Sequence, residues 1–275
     1  MGEDRTFVRP LFSPPMSADP TRMLLERNIR LLIAYDGTAY AGWQRQAQLP
    51  TIQGVIEGKI ALMTRGKALL HGAGRTDAGV HALGMVANFQ TQATIPCQGF
   101  VKGMNSLLPR DIRILAADEV SADFHARFQA KGKRYSYHVS TQPTLLPHQR
   151  LYSAHFPGTY DFSSMQAALD SILGEHDFSS FEATGSRDLT IASGRGAVRR
   201  IFSSTLCHHD KTMIISIHGD GFLRHMVRNI AGTVLEVGQG KRSVTDFIET
   251  LEACDRAHAG PTAPAQGLFL DEVFY

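Results

Sequence analysis

Two rounds of one pattern run along this chain, and any fold must accommodate both. The first opens at residues 28–36 (NIRLLIAYD), a short apolar run ending in Asp-Gly, which predicts a strand and a turn. Residues 51–63 follow Pro50, begin on a Thr suited to an N-cap, and repeat apolar residues at Ile52, Val55, Ile56, Ile60 and Met63, the spacing of a helix. Residues 86–89 and 112–117 predict further strands. The second round begins at 134–139, where Tyr135, Tyr137 and Val139 alternate with Arg134, Ser136 and His138. A helix over 162–173, ended by Gly174, comes next. Residues 198–207 and 213–218 form a hairpin turned by HHDK. A long helix over 221–237 closes at Gly238, a short one spans 244–253, and a strand over 268–274 ends the chain. The pattern predicts two α+β halves, each with a mainly antiparallel sheet, divided as 28–122 and 123–275.

With 275 residues, 43% hydrophobic and 20% charged, the chain suits one large or two smaller soluble domains. No apolar run approaches the roughly 20 residues that span a bilayer. Residues 1–27 carry four Pro and no apolar core of a secretory signal, and read as a disordered extension. Three Cys without a CxxC pair imply neither a disulfide framework nor a zinc knuckle, and fit a reducing, cytoplasmic setting. The net charge is only +2, but the cations cluster: Arg127, Lys131, Lys133 and Arg134; Arg195, Arg199 and Arg200; Arg224 and Arg228. Local potential of this kind is what a phosphate backbone responds to.

The stretch GAGRTDAGVHA, residues 72–82, sets Arg75 and Asp77 in a frame containing Gly72, Gly74 and Gly79. Glycine serves where backbone turns sharply or lets another group approach closely. A tight loop between strands explains the stretch, and so does a site bringing a carboxylate to a bulky substrate. It is not a dinucleotide loop, because Asp77 stands where GxGxxG needs its third Gly and would repel a pyrophosphate. No GK[ST] follows, no HExxH accompanies the twelve His, and no GxSxG elbow occurs. In FLRHMVRNIAGTVLEV the apolar Phe222, Met226, Val227, Ile230, Val234 and Val237 share a helical face, with Arg224 and Arg228 one turn apart on another. Such a pair is either solvated or aimed into a cleft by the preceding GDG.

Seven segments occur together and in order: AYDGTAYAGWQRQ, GAGRTDAGVHA, NSLLPRDI, FHARFQAKGKRYSY, DFSSF, FLRHMVRNIAG and APAQGLFL. From about Ile29 to Tyr275 the chain closely resembles the tRNA pseudouridine synthase A family. The polar, Gly-rich loop over 185–196 is longer than the family's usual connection. The resemblance implies the pseudouridine synthase fold, two α/β halves flanking a central basic active-site cleft. It implies Asp77 as the catalytic carboxylate, nucleophile or base, Tyr135 stacked on the target base, Arg228 paired with Asp77, Leu268 on the apolar wall, and Arg75 holding the place of the flipped nucleotide. Lys133, Arg134 and Arg224 stand as further RNA contacts from the basic clusters. The Gly-rich frame would then let RNA backbone approach while Asp77 meets the ribose.

The implied reaction cuts the N1–C1′ bond of uridine, turns the uracil and rejoins it through C5. Nothing is oxidised or added, so it calls for no cofactor and no metal. The carboxylate attacks C1′, removes the 2′ proton or adds to C6; residue types leave all three routes open. The family's substrates are uridines 38, 39 and 40 of the tRNA anticodon stem-loop, and it acts as a homodimer. A non-catalytic RNA-binding protein on the same fold would be free to lose Asp77, Tyr135 or Arg228, and all three are present. A methyltransferase would need a cofactor loop that the sequence lacks.

Overall fold

The structure, a computed structural model, describes residues 26–186 and 195–275. The first 25 residues of the expected extension, and residues 187–194 of the expected 185–196 loop, lie outside the described residues. The elements are β1 (Arg27–Tyr35), α1 (Ile52–Thr64), β2 (His71–Gly72), β3 (His81–Thr91), α2 (Cys97–Leu107), β4 (Ile112–Val120), β5 (Gly132–Ser140), β6 (Ala154–His155), α3 (Phe162–Asp170), β7 (Gly174–Asp177), β8 (Val198–His209), β9 (Thr212–Gly219), α4 (Met226–Gly238), α5 (Val244–Glu252) and β10 (Leu268–Phe274).

One sheet runs through both halves in the order β4-β1-β3-β10-β5-β9-β8-β7, with β2 paired to β3 and β6 to β5. Pairing along the main path is antiparallel except where β10 meets β3. The C-terminal strand is therefore the seam, seated between a strand of each half: Phe269 pairs with His81 on one side and with Ser136 on the other. Alternation in β1 buries Ile29, Leu31, Ile33 and Tyr35. α1 and α2 pack together, with α2 against β4, while α3, α4 and α5 pack on one another beside β8 and β5. The strand at Arg27 is fixed by Glu119 and by the carbonyls of Ala93 and Ile95, so β1 begins one residue before the expected boundary.

Local chemistry explains the element ends. Thr51 accepts a hydrogen bond from the Gly54 N–H at the start of α1. Ser243 and Asp246 form a reciprocal capping box on α5. The β8–β9 hairpin turns on Asp210 and Lys211, with His209 opposite Thr212 and Asp210 at φ 51°. One helix was not expected, and two expectations need correction. α2 is a helix that the sequence pattern does not announce, because Gly99 and Gly103 interrupt it; Gly103 is small where the Met63 methyl packs, 2.5 Å from where a Cβ would sit. Residues 162–173 give a helix only to Asp170. The helix expected from residue 221 starts at Met226, because residues 220–225 run as an irregular segment tied by Asp220 to the Arg200 backbone and the Arg195 side chain.

α4 is buried nearly all round, and at Gly232 it passes so close to the 261–263 segment that an added Cβ would overlap the Pro261 carbonyl. Gly232→Ala should therefore destabilise the fold by about 1–3 kcal/mol. Gly58→Ala, in a helix interior with open space around it, should stabilise by about 0.5–1 kcal/mol. Chemical denaturation of both variants checks this; equal effects would contradict the packing described.

Candidate active site

Asp77 sits on a turn that the end of β1 and the loop after it hold in place. The Val80 N–H donates to the Asp77 carbonyl (3.2 Å), and Gly79 lies at φ 76°, a conformation that glycine adopts without steric cost. The neighbouring Thr76 is buried: its carbonyl accepts the Trp43 N–H (3.0 Å), and its hydroxyl is 2.8 Å from the Tyr35 hydroxyl. Gly42, at φ 95°, lets that loop lie against the Thr76 and Asp77 backbone, where a Cβ would come within 2.6 Å of the Thr76 carbonyl. The other two glycines of the motif line the cavity and lie against protein side chains. A Cβ at Gly72 would meet the Trp43 ring at 2.6 Å, and one at Gly74 would meet Lys133 Nζ at 2.8 Å.

Three side chains converge on the Asp77 carboxylate. Arg228 Nη1 is 3.6 Å from Oδ2, His225 Nε2 is 3.5 Å from Oδ2, and Arg224 Nε is 4.0 Å from Oδ1. Arg228, in the first turn of α4, is mostly buried (15% exposed), and its Nε donates to the Ala263 carbonyl at 2.7 Å. That bond gives part of the APAQGLFL segment its role: it aims the guanidinium. Arg224 is 62% exposed, so its attraction to Asp77 is screened by water. The carboxylate also faces the N-terminal end of α4, where the helix dipole favours negative charge.

Sequence reasoning missed His225. Between two Arg it reads as one more position on a helix surface, yet it lies in the left-handed region at φ 63°, capping α4, and this kink turns it toward Asp77. Burial lowers its pKa, the Asp77 charge opposes this, and Arg228, Arg224 and Arg256 push it further down, so the imidazole is neutral at neutral pH. A non-Gly residue at positive φ between two Arg is the kind of strained position found at functional sites.

The carboxylate opens into a cavity of about 1210 Å³, above the range usual for small-molecule pockets, about 300–1,000 Å³. Arg75, Tyr135, Lys133, Arg224, Arg228 and Leu268 all line it. Arg75 is exposed at its rim. Leu268, the first residue of β10, is buried and contributes apolar wall. Tyr135 is 7% exposed, with Phe222 packed edge-on at 5.0 Å between ring centres. Burial, and then the Asp77 charge, raise its pKa, so its hydroxyl stays protonated. That protonation state suits a hydrogen-bond donor rather than a base.

Arg134 is not brought to this cavity. Strand alternation puts it on the face opposite Lys133 and Tyr135, where it meets Glu272 at 3.2 Å and lies over the Phe274 ring. Of the other expected cations, Arg127 and Arg199 line the cavity, whereas Arg195 pairs with Asp220. Among the described residues, no cluster of three or more metal-ligating side chains occurs, and no helix is long and apolar enough to cross a membrane.

Lys133 gives the cavity a titratable floor. Burial, then the charges of Arg127, Arg199 and Arg195, lower its pKa from 10.5 to about 8. Between these values the unfolded chain binds more protons than the folded one, so this group's contribution to stability rises with pH. Lys133→Met should accordingly be more stable than the wild type below pH 8, with the gap closing as pH rises toward 10.5. Urea denaturation from neutral to alkaline pH reads it; a constant gap would mean that the ammonium is not buried.

The sequence pattern of a family described as tRNA pseudouridine synthase matches residues 31–129 and 168–275. The tRNA pseudouridine synthase A 1 of Desulfotalea psychrophila is 52% identical over 251 residues, covering 90% of this chain and all of the relative. The tRNA pseudouridine synthase A proteins of Geotalea uraniireducens and Acetivibrio thermocellus are each 47% identical over 90% of this chain, and both are covered in full.

Proposed function

The chain belongs to the tRNA pseudouridine synthase family, and on that premise we propose that it isomerises uridine to pseudouridine at positions 38, 39 and 40 of the tRNA anticodon stem-loop, with Asp77 as the catalytic carboxylate. The observation that carries this reading is the convergence of Arg228, His225 and Arg224 on Asp77 inside a cation-lined cavity that also contains Tyr135 and Leu268.

The target uridine leaves its stack, at a cost of a few kcal/mol, and enters the cavity. Phosphates meet Arg75, Arg224 and Lys133 on the way. Phe222 moves off Tyr135 as the uracil takes the ring's face, and Leu268 keeps water from the reacting carbon. Asp77 then acts at the ribose or the base. Both Asp77 oxygens suit this task, because the nearest cations stand beyond hydrogen-bond distance and leave the lone pairs to the substrate. The N1–C1′ bond breaks, the uracil turns, C5 bonds to C1′, C5 loses its proton and N1 gains one, so substrate and product are isomers. His225, neutral beside Asp77, adds no positive charge to compete for the carboxylate. Two chains pair in the cytoplasm, and the RNA crosses both, which doubles the basic surface of a chain with net charge +2.

Incubation with unmodified tRNA, followed by position-by-position mapping of pseudouridine, tests the reading directly. The wild type should convert uridines at 38–40. Asp77→Asn should give no product while its Kd for the same tRNA stays within about three-fold, since binding rests on phosphate contacts. Product from Asp77→Asn at the wild-type rate would remove the carboxylate from the chemistry. Tyr135→Phe should bind normally and turn over at least about ten-fold more slowly, through loss of the hydroxyl; wild-type turnover would leave Tyr135 only its ring.

A further inference from the structure

Phe128 is 78% exposed, more than any other large hydrophobic side chain among the described residues, yet it is not on a loose segment. The Ala126 N–H donates to Asn88 Oδ1 at 2.9 Å, the Ala126 carbonyl accepts the Tyr275 hydroxyl at 2.7 Å, and the Gln129 N–H donates to the His125 carbonyl at 3.1 Å. The fold thus holds an aromatic ring in water at a fixed place. That place is the wall of the cavity containing Asp77. The ring is also backed: His125 lies 4.2 Å from it, centre to centre, and His71 lies 4.8 Å from His125. Burial, then the charges of His71 and Arg127, lower the His125 pKa, which keeps the middle ring neutral.

We propose that Phe128, backed by His125 and His71, is a second stacking platform in the cleft and takes an unpaired base of the same RNA whose target uridine enters toward Asp77. The proposal rests on the function argued above. A lone exposed ring offers little to an apolar protein surface, and its neighbours on the cavity wall are cations, Arg127 among them. A nucleotide answers both features, with a π face for the ring and a phosphate for the guanidinium. It also meets a need of the reaction. Extracting a uridine from a helical stem leaves a neighbouring or partner base unstacked, and a second platform offsets part of that cost. Tyr135 cannot serve both bases, since it lies buried deeper in the cleft and offers little free surface.

The test compares Phe128→Leu and Phe128→Trp with the wild type on unmodified tRNA, measuring Kd across a salt series, pseudouridine formation and thermal midpoint. Leu keeps an apolar side chain and removes the π face, whereas Trp keeps the face. The expected result is a Kd raised about ten-fold or more in Phe128→Leu, with the wild-type salt slope, and a Kd near wild type in Phe128→Trp. All three proteins should melt together, because the ring is solvent-exposed. Wild-type affinity in Phe128→Leu, a flatter salt slope in it, or an equal loss in Phe128→Trp overturns the platform. If the wild type converts tRNA uridines while any of these holds, the platform alone falls. If the wild type makes no pseudouridine, the function itself falls, and the platform with it.

Discussion

The hydrogen bonds that hold Thr76 decide where the cleft's carboxylate stands. Its hydroxyl meets Tyr35 at the end of β1, and its carbonyl takes the Trp43 N–H from the following loop, so the turn bearing Asp77 is tied to the most buried part of the N-terminal half. Leaving one such buried polar group without a partner costs about 1–3 kcal/mol, enough to let the turn drift. The opposite wall is tied as firmly. Asn229 donates to the Phe181 carbonyl and accepts from Thr262, while Arg228 donates to Ala263. The sheet's seam strand, β10, begins a few residues later at Leu268. The carboxylate and its cations therefore belong to different halves, and their meeting depends on one continuous sheet.

Several of the sequence motifs supply structural supports. Asn105 of NSLLPRDI bridges α2 to the Ile114 backbone with two 2.8 Å hydrogen bonds. In AYDGTAYAGW, Tyr35, Gly42 and Trp43 shape the Asp77 turn. The Phe181 carbonyl of DFSSF anchors α4. Site geometry held to fractions of an ångström needs this second layer, and the layer occupies more of the sequence than the reacting groups do.

Much of this was legible in the sequence. Periodicity found the β8–β9 hairpin, α1 with its Thr51 cap, and the buried stripe of α4, because each obeys one local rule. α2 escaped because its two glycines serve tertiary packing against α1, which a local pattern does not record. The true start of α4 escaped because Phe222 and Leu223 keep helical phase by coincidence while Asp220 binds the chain elsewhere. Arg134 is the expected site residue that the fold places away from the cavity. Its alternation with Tyr135 was visible, and it already placed the two on opposite faces of β5. His225 could not be found from spacing, since its role depends on a single left-handed residue.

The proposed reaction requires that a uridine removed from its helix meet Asp77 in this cleft. A crystal structure of Asp77→Asn bound to an unmodified anticodon stem-loop tests it most directly. One uridine should stand out of the stem, with its uracil on the Tyr135 ring and its C1′ or C6 about 3–3.5 Å from a side-chain oxygen or nitrogen of residue 77, the distance of a near-attack arrangement. RNA bound with every uridine stacked in its helix, or with an extruded uridine held away from residue 77, would contradict it.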